Sequence, residues 1–157
     1  MLLRKVLFIA AICINAVPVF SQSLPNQIFN SVRQENIQWM PYEALGEGAF
    51  AAFVVGVPST PGPYVIRVKA TAGVKLMPHT HPEDRVYTVI SGVFYIGLGS
   101  TFDSTKLVAY GPGSVVVLPR NTPHFHYAKS GEYVTLIYGT GPFGTIYVNP
   151  ADDPRKK

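Results

Sequence analysis

The sequence predicts an all-β domain of short strands arranged as a barrel or sandwich, and three observations support this prediction. The chain has 157 residues, the length of about one domain. It contains 14 glycines and 14 prolines, and turn residues this frequent are unfavourable in a helical bundle. Between the turns, short runs of β-branched and aromatic residues recur, and such spacing is typical of all-β folds.

The strand prediction rests on ten such runs, each ended by a break rich in turn-forming residues. We expect a hairpin at Gly92, because this single residue separates the fourth run from the fifth. No long segment with helical periodicity competes with this interpretation after the first residues. The predicted strands are residues 50–57, 64–70, 74–81, 86–91, 93–98, 106–110, 114–118, 124–128, 133–138 and 145–148.

Residues 1–21 have the three parts of a secretory signal peptide. Arg4 and Lys5 give it a basic start, residues 6–14 are apolar, and residues 19–21 fit cleavage before Gln22. The apolar part is too short and too interrupted for a membrane span of ~20 residues. We therefore expect a secreted or periplasmic protein with no membrane association after cleavage.

The rest of the chain divides into a polar arm at 22–36, a barrel domain at 37–150 and a polar, irregular tail at 151–157. The single cysteine, Cys13, lies in the predicted leader, so the mature chain has no disulfide and no thiolate ligand. An exposed strand edge needs cover, and pairing of the arm with a neighbour in a homodimer is one way to supply it.

The charge distribution argues against nucleic-acid binding. The net charge is +4 from 13 basic and 9 acidic residues. Five of the basic residues lie in the leader or in the last three positions of the chain. The others are scattered, so no basic stripe is left to follow a phosphate backbone.

All four histidines occur in two His-x-His pairs, His79 with His81 and His124 with His126. Residues i and i+2 of a strand point to the same face, so each pair presents two imidazoles side by side. Buried imidazoles need partners, and a divalent metal satisfies several at once. The alternative is that the rings are surface groups or core groups with ordinary hydrogen bonds.

Two glycine- and histidine-bearing blocks frame these pairs. The residues that define them are Gly73, His79, His81 and Gly92 in the first block and Gly113, Pro119, Asn121 and His124 in the second. In order and spacing, the two blocks resemble the two motifs of the cupin superfamily, over residues 73–126. The resemblance implies a small single-domain jelly-roll barrel whose interior holds a metal near its open mouth.

The first block departs from the cupin pattern at Arg85. Seven residues before Gly92, where cupins usually carry a glutamate ligand, this chain has an arginine. A guanidinium has no acceptor atom and stays protonated. At ~4 Å from a divalent ion it would be repelled by roughly 8 kcal/mol at an effective dielectric constant of ~20. Arg85 must therefore point away or be neutralised, or the metal must be absent.

In the preferred interpretation, Glu83 supplies the missing oxygen ligand and Asp84 neutralises the charge of Arg85. An equally good interpretation is that Glu83 is a solvated carboxylate in a loop. Fe(II), Mn(II), Ni(II) and Zn(II) all suit such a site, and ligand type does not choose among them. The preferred ligands are His79, His81, Glu83 and His124.

The alternative shell has three imidazoles, His79, His81 and His124, with waters. His126 is then a fourth ligand or a supporting residue. His126 is also a candidate general base, and the competing interpretation is simple packing.

Arg85 is a candidate clamp for a substrate carboxylate, and the competing interpretation is an ion pair with Glu83 or Asp84. Tyr87 shares the face of Arg85 and is expected to line the same pocket.

The sequence therefore indicates an exported metal-binding cupin, and two functions remain open. One is a metal-dependent enzyme of the oxygenase or isomerase type that acts on a small, anionic substrate. The other is a non-catalytic module of the same fold that binds a metal or small ligand. A purely structural domain would require the histidine pairs to be coincidental.

Overall fold

Two antiparallel sheets face each other and enclose the core. The structure, a computed structural model of the chain, describes residues 32–157. The predicted signal peptide and residues 22–31 of the arm lie outside the described residues. The strands are β1 Met40–Pro41, β2 Ala49–Val55, β3 Gly62–Ala70, β4 Lys75–Thr80, β5 Arg85–Ser91, β6 Phe94–Leu98, β7 Val108–Tyr110, β8 Val115–Leu118, β9 His124–Tyr127, β10 Tyr133–Gly141 and β11 Ile146–Tyr147.

The larger sheet has the strand order β1-β2-β3-β10-β5-β8, and the smaller one has the order β11-β4-β9-β6-β7. Helical structure in residues 32–157 is limited to short 3₁₀ turns. None of the helical segments in this range has the length and apolar character that a membrane crossing requires. The predicted all-β class is confirmed, and the two facing sheets form a jelly-roll barrel.

The core lies between the sheets and follows the two-residue period of a strand. Along β3 the buried positions alternate with outward ones, as they do along β5 and β10. Each fully buried large apolar side chain contributes roughly 1.5–3 kcal/mol relative to an exposed one. The inward side chains of these strands are Tyr64, Ile66, Val68 and Ala70 on β3, Arg85, Tyr87 and Val89 on β5, and Tyr133, Thr135 and Ile137 on β10.

The predicted hairpin at Gly92 is wrong. Strand β5 belongs to the larger sheet and β6 to the smaller, so the chain crosses between sheets here. Gly92 has a φ of +69°, and a Cβ there would lie 2.0 Å from the carbonyl oxygen of Glu132. Only glycine fits so close to another backbone segment in this conformation. The short spacing therefore marks a crossing between layers and not a tight turn within one.

Two further differences concern the ends of the domain. The two-residue strand β1, which carries Pro41, was not predicted and pairs with β2 at the edge of the larger sheet. The tail is more ordered than expected. In the tail, the side chain of Asp153 is buried and accepts hydrogen bonds from the backbone and side chain of Arg155. Arg155 Nη2 also donates to Thr145 O at 3.0 Å.

Candidate metal centre

Neighbouring strands of the smaller sheet bring the histidines together. Strands β4 and β9 pair antiparallel, and His79 lies directly opposite His124 with 4.3 Å between the ring centroids. His126, one inward position further along β9, lies 5.0 Å from His124. His81 follows the end of β4 and lies 4.9 Å from both His79 and His124. All four rings converge inside the barrel.

Three of these imidazoles present a free nitrogen to one another. His79 Nδ1 donates to Met77 O at 2.7 Å, and His124 Nδ1 donates to Thr122 O at 3.0 Å. These bonds place the ring proton on Nδ1 and leave Nε2 with its lone pair. Within residues 32–157, the Nε2 atoms of His79, His124 and His126 are buried without a hydrogen-bond partner. One ring nitrogen of each lies within 4.8 Å of the others. We call these three residues the imidazole triad.

Burial keeps the imidazole triad neutral. Desolvation, together with the smaller effects of the neighbouring His124 and Arg85, lowers the pKa of His79 to about 3. Desolvation likewise lowers the pKa of His124 to about 4 and holds that of His126 well below the ordinary value. At neutral pH each ring is uncharged and keeps one nitrogen lone pair, which is the form that binds metal ions.

His81 has a different environment from the imidazole triad. Its Nδ1 donates to Gly144 O at 2.7 Å. Its Nε2 accepts a hydrogen bond from Arg85 Nη1 at 3.0 Å and another from the Tyr87 hydroxyl at 3.3 Å. Both donors come from β5 of the facing sheet, so His81 connects the two layers of the barrel.

The positive charge of Arg85 is neutralised inside the barrel. Arg85 is only 4% exposed, and its Nε donates to Glu83 Oε1 at 2.7 Å. Glu83 Oε1 also accepts from the Tyr64 hydroxyl at 2.8 Å, while Oε2 has no partner among the described residues. Asp84 does not offset Arg85 as the sequence suggested. It pairs with Arg120 on the surface at 2.9 Å.

Space beside the imidazole triad is small. The interior cavity has a volume of about 10 Å³, which is room for about one water molecule. A surface pocket of about 500 Å³ lies outside it, lined by Glu83, Asp84, Arg120 and Tyr138 among others. Arg85 lines both spaces and therefore stands between the surface pocket and the interior.

Comparisons with known proteins bear on the fold. No protein-family model matches the chain, and no curated protein matches it. The polyketide cyclase RemF from Streptomyces resistomycificus is a similar solved structure, with a TM-score of 0.68 at 16% identity over 82% of this chain and 92% of that one. A cupin-2 domain protein from Rhodospirillum rubrum superposes with a TM-score of 0.60 at 12% identity, over 78% of this chain and 82% of that one. The fold is that of a cupin.

A third similar structure is a sugar phosphate isomerase of the cupin superfamily from Silicibacter pomeroyi, with a TM-score of 0.53 at 18% identity. The match covers 71% of this chain and 76% of that one. These likenesses cover 71% to 82% of the chain, which is more than the residues of the two motifs.

On this cupin fold, the predicted site residues gather in one place but divide into two groups. His79 and His124 belong to the imidazole triad, together with His126. His81, Glu83 and Arg85 form a hydrogen-bonded group beside it. Relative to the preferred ligand set, His126 now lies among the candidate ligands, whereas Glu83 is hydrogen-bonded to Arg85.

Sequence reasoning missed Tyr64 and the carbonyl of Gly144, both of which hold this second group. Tyr64 is an inward residue of β3, and strand alternation is the only signal that pointed to it. A backbone carbonyl has no sequence signal at all. Tyr87 lines the interior cavity, as its shared face with Arg85 indicated.

Proposed function

We propose that this protein binds a divalent metal ion through the imidazole triad and acts as a metal-dependent enzyme on a small molecule. The observation that carries the proposal is the set of three buried Nε2 atoms without partners, from His79, His124 and His126. Leaving a buried polar atom unsatisfied costs roughly 1–3 kcal/mol. A single cation beside the three nitrogens removes that cost for all of them.

The residues present fit a transition metal better than a hard cation. Three neutral imidazoles suit zinc, iron, nickel or copper, whereas magnesium and calcium prefer oxygen ligands. The carbonyls that accept from His79 and His124 are the outer partners that orient metal-binding imidazoles. A metal bound by three protein ligands polarises a substrate oxygen or activates a bound water.

Of the two reaction types that the sequence predicts, the isomerase type has support from the solved structures. One similar structure is a cyclase and another is a sugar phosphate isomerase. We therefore propose a non-redox rearrangement of a small, oxygen-bearing anion. The surface pocket beside Arg85 and Arg120 offers room for such a molecule, which would have to compete with Glu83 and Asp84 for these two arginines.

Metal analysis of the protein, expressed without a histidine tag, tests the proposal. All four histidines of the chain lie in this site, so no other imidazole competes for metal. We expect near-stoichiometric metal in the wild type and its loss in His79→Ala and His124→Ala. Asp84→Ala, which removes an exposed carboxylate next to the site, should retain the metal. Folded wild-type protein that takes up no zinc, iron, nickel or copper contradicts the proposal.

A non-catalytic metal-binding module is the second candidate, and one observation favours it. The interior cavity of about 10 Å³ is far smaller than the roughly 300–1,000 Å³ of ordinary small-molecule sites. A thermal-shift screen of carboxylates and sugar phosphates on metal-loaded protein separates the two candidates. A compound that stabilises the wild type and is turned over only when His124 is present supports the enzyme. No stabilisation by any compound supports the module.

A further inference from the structure

We infer that Arg85 is a positioning residue that holds His81 away from the metal, so that three imidazoles and not four bind the ion. This inference rests on the proposed function, because it concerns the ligands around a bound metal. It departs from the ligand set that the sequence predicts, in which His81 and Glu83 both bind the metal.

The first step concerns the lone pair of His81. Because its Nδ1 donates to the carbonyl of Gly144, the free lone pair of the ring is on Nε2. Two donors already face that atom, Arg85 Nη1 at 3.0 Å and the Tyr87 hydroxyl at 3.3 Å. The Nε2 atoms of the imidazole triad, by contrast, face no donor among residues 32–157.

The second step concerns the fixed position of Arg85. Its Nε donates to Glu83 Oε1, its Nη2 donates to Gly144 O at 3.0 Å, and its Nη1 faces His81. The ring of Phe143 stacks on the guanidinium with 4.5 Å between the ring centroid and the guanidinium carbon. A guanidinium does not lose its proton at any working pH, so the hydrogen bond to His81 persists.

The consequence is an open coordination shell. One lone pair cannot accept a hydrogen bond and bind a metal at the same time. Zinc sites with four protein ligands are closed and structural, whereas sites with three leave a position for water or substrate. The barrel contains four imidazoles, enough to fill all four positions around a zinc ion. Because Arg85 donates to the Nε2 lone pair of His81, one of these positions stays free.

Cobalt(II) titration of the untagged protein tests the ligand assignment, because cobalt(II) reports affinity and coordination number in one visible spectrum. We expect His81→Ala to keep the wild-type spectrum and a Kd within about threefold of wild type. His79→Ala should weaken binding by more than about 100-fold, since it removes a ligand and not an outer partner.

Replacing Arg85 by methionine should have the opposite effect. Arg85→Met removes the fixed donor and the charge, and the Tyr87 hydroxyl at 3.3 Å can rotate its proton away from Nε2, so His81 Nε2 becomes available as a fourth ligand. We expect roughly tenfold tighter cobalt binding and the stronger absorption of a four-coordinate ion. Arg120→Met is the matched control, because it breaks the exposed ion pair with Asp84 and should change neither quantity. The double variant Glu83→Gln/Arg85→Met avoids leaving an unpaired buried carboxylate.

The outcomes separate this inference from the proposed function. Equal loss of cobalt in His81→Ala and His79→Ala overturns the inference and leaves the metal centre standing. An unchanged cobalt spectrum in folded Arg85→Met or in the folded double variant also overturns it. Wild-type protein that binds no cobalt or zinc contradicts the proposed function itself. If neither arginine variant folds, the two histidine variants decide the question.

Discussion

Buried neutral histidines make the stability of the metal-free protein depend on pH. In the unfolded chain a histidine binds a proton near pH 6.5, whereas burial lowers the pKa of His79 to about 3 and that of His124 to about 4. Below pH 6.5 the unfolded state therefore binds more protons than the folded state, and the free energy of unfolding decreases as the pH is lowered. The fall ends for each ring at its folded-state pKa.

Between pH 7 and pH 5 we expect the free energy of unfolding to decrease by roughly 2 kcal/mol for each buried ring. Urea unfolding of chelator-treated protein measures the decrease, and carboxylates titrate mostly below this window. His79→Gln lacks an ionisable ring and should show a shallower dependence. A free energy of unfolding that stays constant from pH 7 to pH 5 contradicts the assignment of these rings as buried and neutral.

At the same scale, the sequence was informative about which residues meet and less informative about their partners. Strand alternation placed His124 and His126 on one face of their strand. In the other part of the site, the alternating buried positions run from His81 through Glu83 to Arg85. The spacing also identified Arg85 as out of place. An ion pair of Arg85 with Glu83 or Asp84 was only the competing interpretation, and it was expected at the surface. Glu83 and His81 lie in the segment that follows β4, and the path of that segment places the Glu83–Arg85 pair inside the barrel.

Among the elements, the crossing between β5 and β6 depends on one glycine. Gly92→Ala places a methyl group 2.0 Å from Glu132 O at a φ of +69°. We expect it to cost at least about 2 kcal/mol of unfolding free energy, because backbone strain and steric overlap combine. Chemical denaturation checks this value.

Gly111→Ala is the control, because nothing lies within 4 Å of its added methyl group and its φ is outside the left-handed region. Its effect should stay below about 0.5 kcal/mol. Equal effects of the two substitutions would mean that the crossing at Gly92 does not need a glycine.

The same crossing shows what limited prediction at the level of elements. Each of the ten predicted strands overlaps an observed one, because turn residues and β-branched runs are local signals. Which sheet a strand joins is decided by packing across the barrel, and a local sequence pattern carries no information about that packing. The strand after Gly92 was therefore predicted correctly, but its pairing with the strand before Gly92 was wrong, since β6 pairs with β7 and β9.

For the whole molecule, metal binding should stabilise the fold. A ligand at 100 times its Kd adds about 2.7 kcal/mol, which for a domain of this size corresponds to a rise in Tm of roughly 10 °C. Differential scanning calorimetry with zinc should show the rise in the wild type. His79→Ala should show none, and neither should wild type with calcium. A rise of the same size in His79→Ala would point to a different binding site.

The leader at residues 1–21 remains a prediction, and it has a direct test. If the chain is exported, the mature protein begins at Gln22. Intact-mass measurement of the full chain, expressed in a secretion-competent bacterial host and recovered from the periplasm, checks the new N-terminus. Replacing Arg4 and Lys5 by glutamate should keep the protein in the cytoplasm with its leader attached. An uncleaved wild-type chain contradicts the prediction.

The two sheets divide the work of the site between them. The imidazole triad comes entirely from β4 and β9, whereas Arg85, Tyr87, Tyr133 and Thr135 approach from the facing layer. If the imidazole triad binds a metal as proposed, substitutions at Tyr87, Tyr133 and Thr135 should alter what reaches the ion without removing a ligand. The barrel would then offer protein engineers a fixed set of ligands on one sheet and a variable lining on the other.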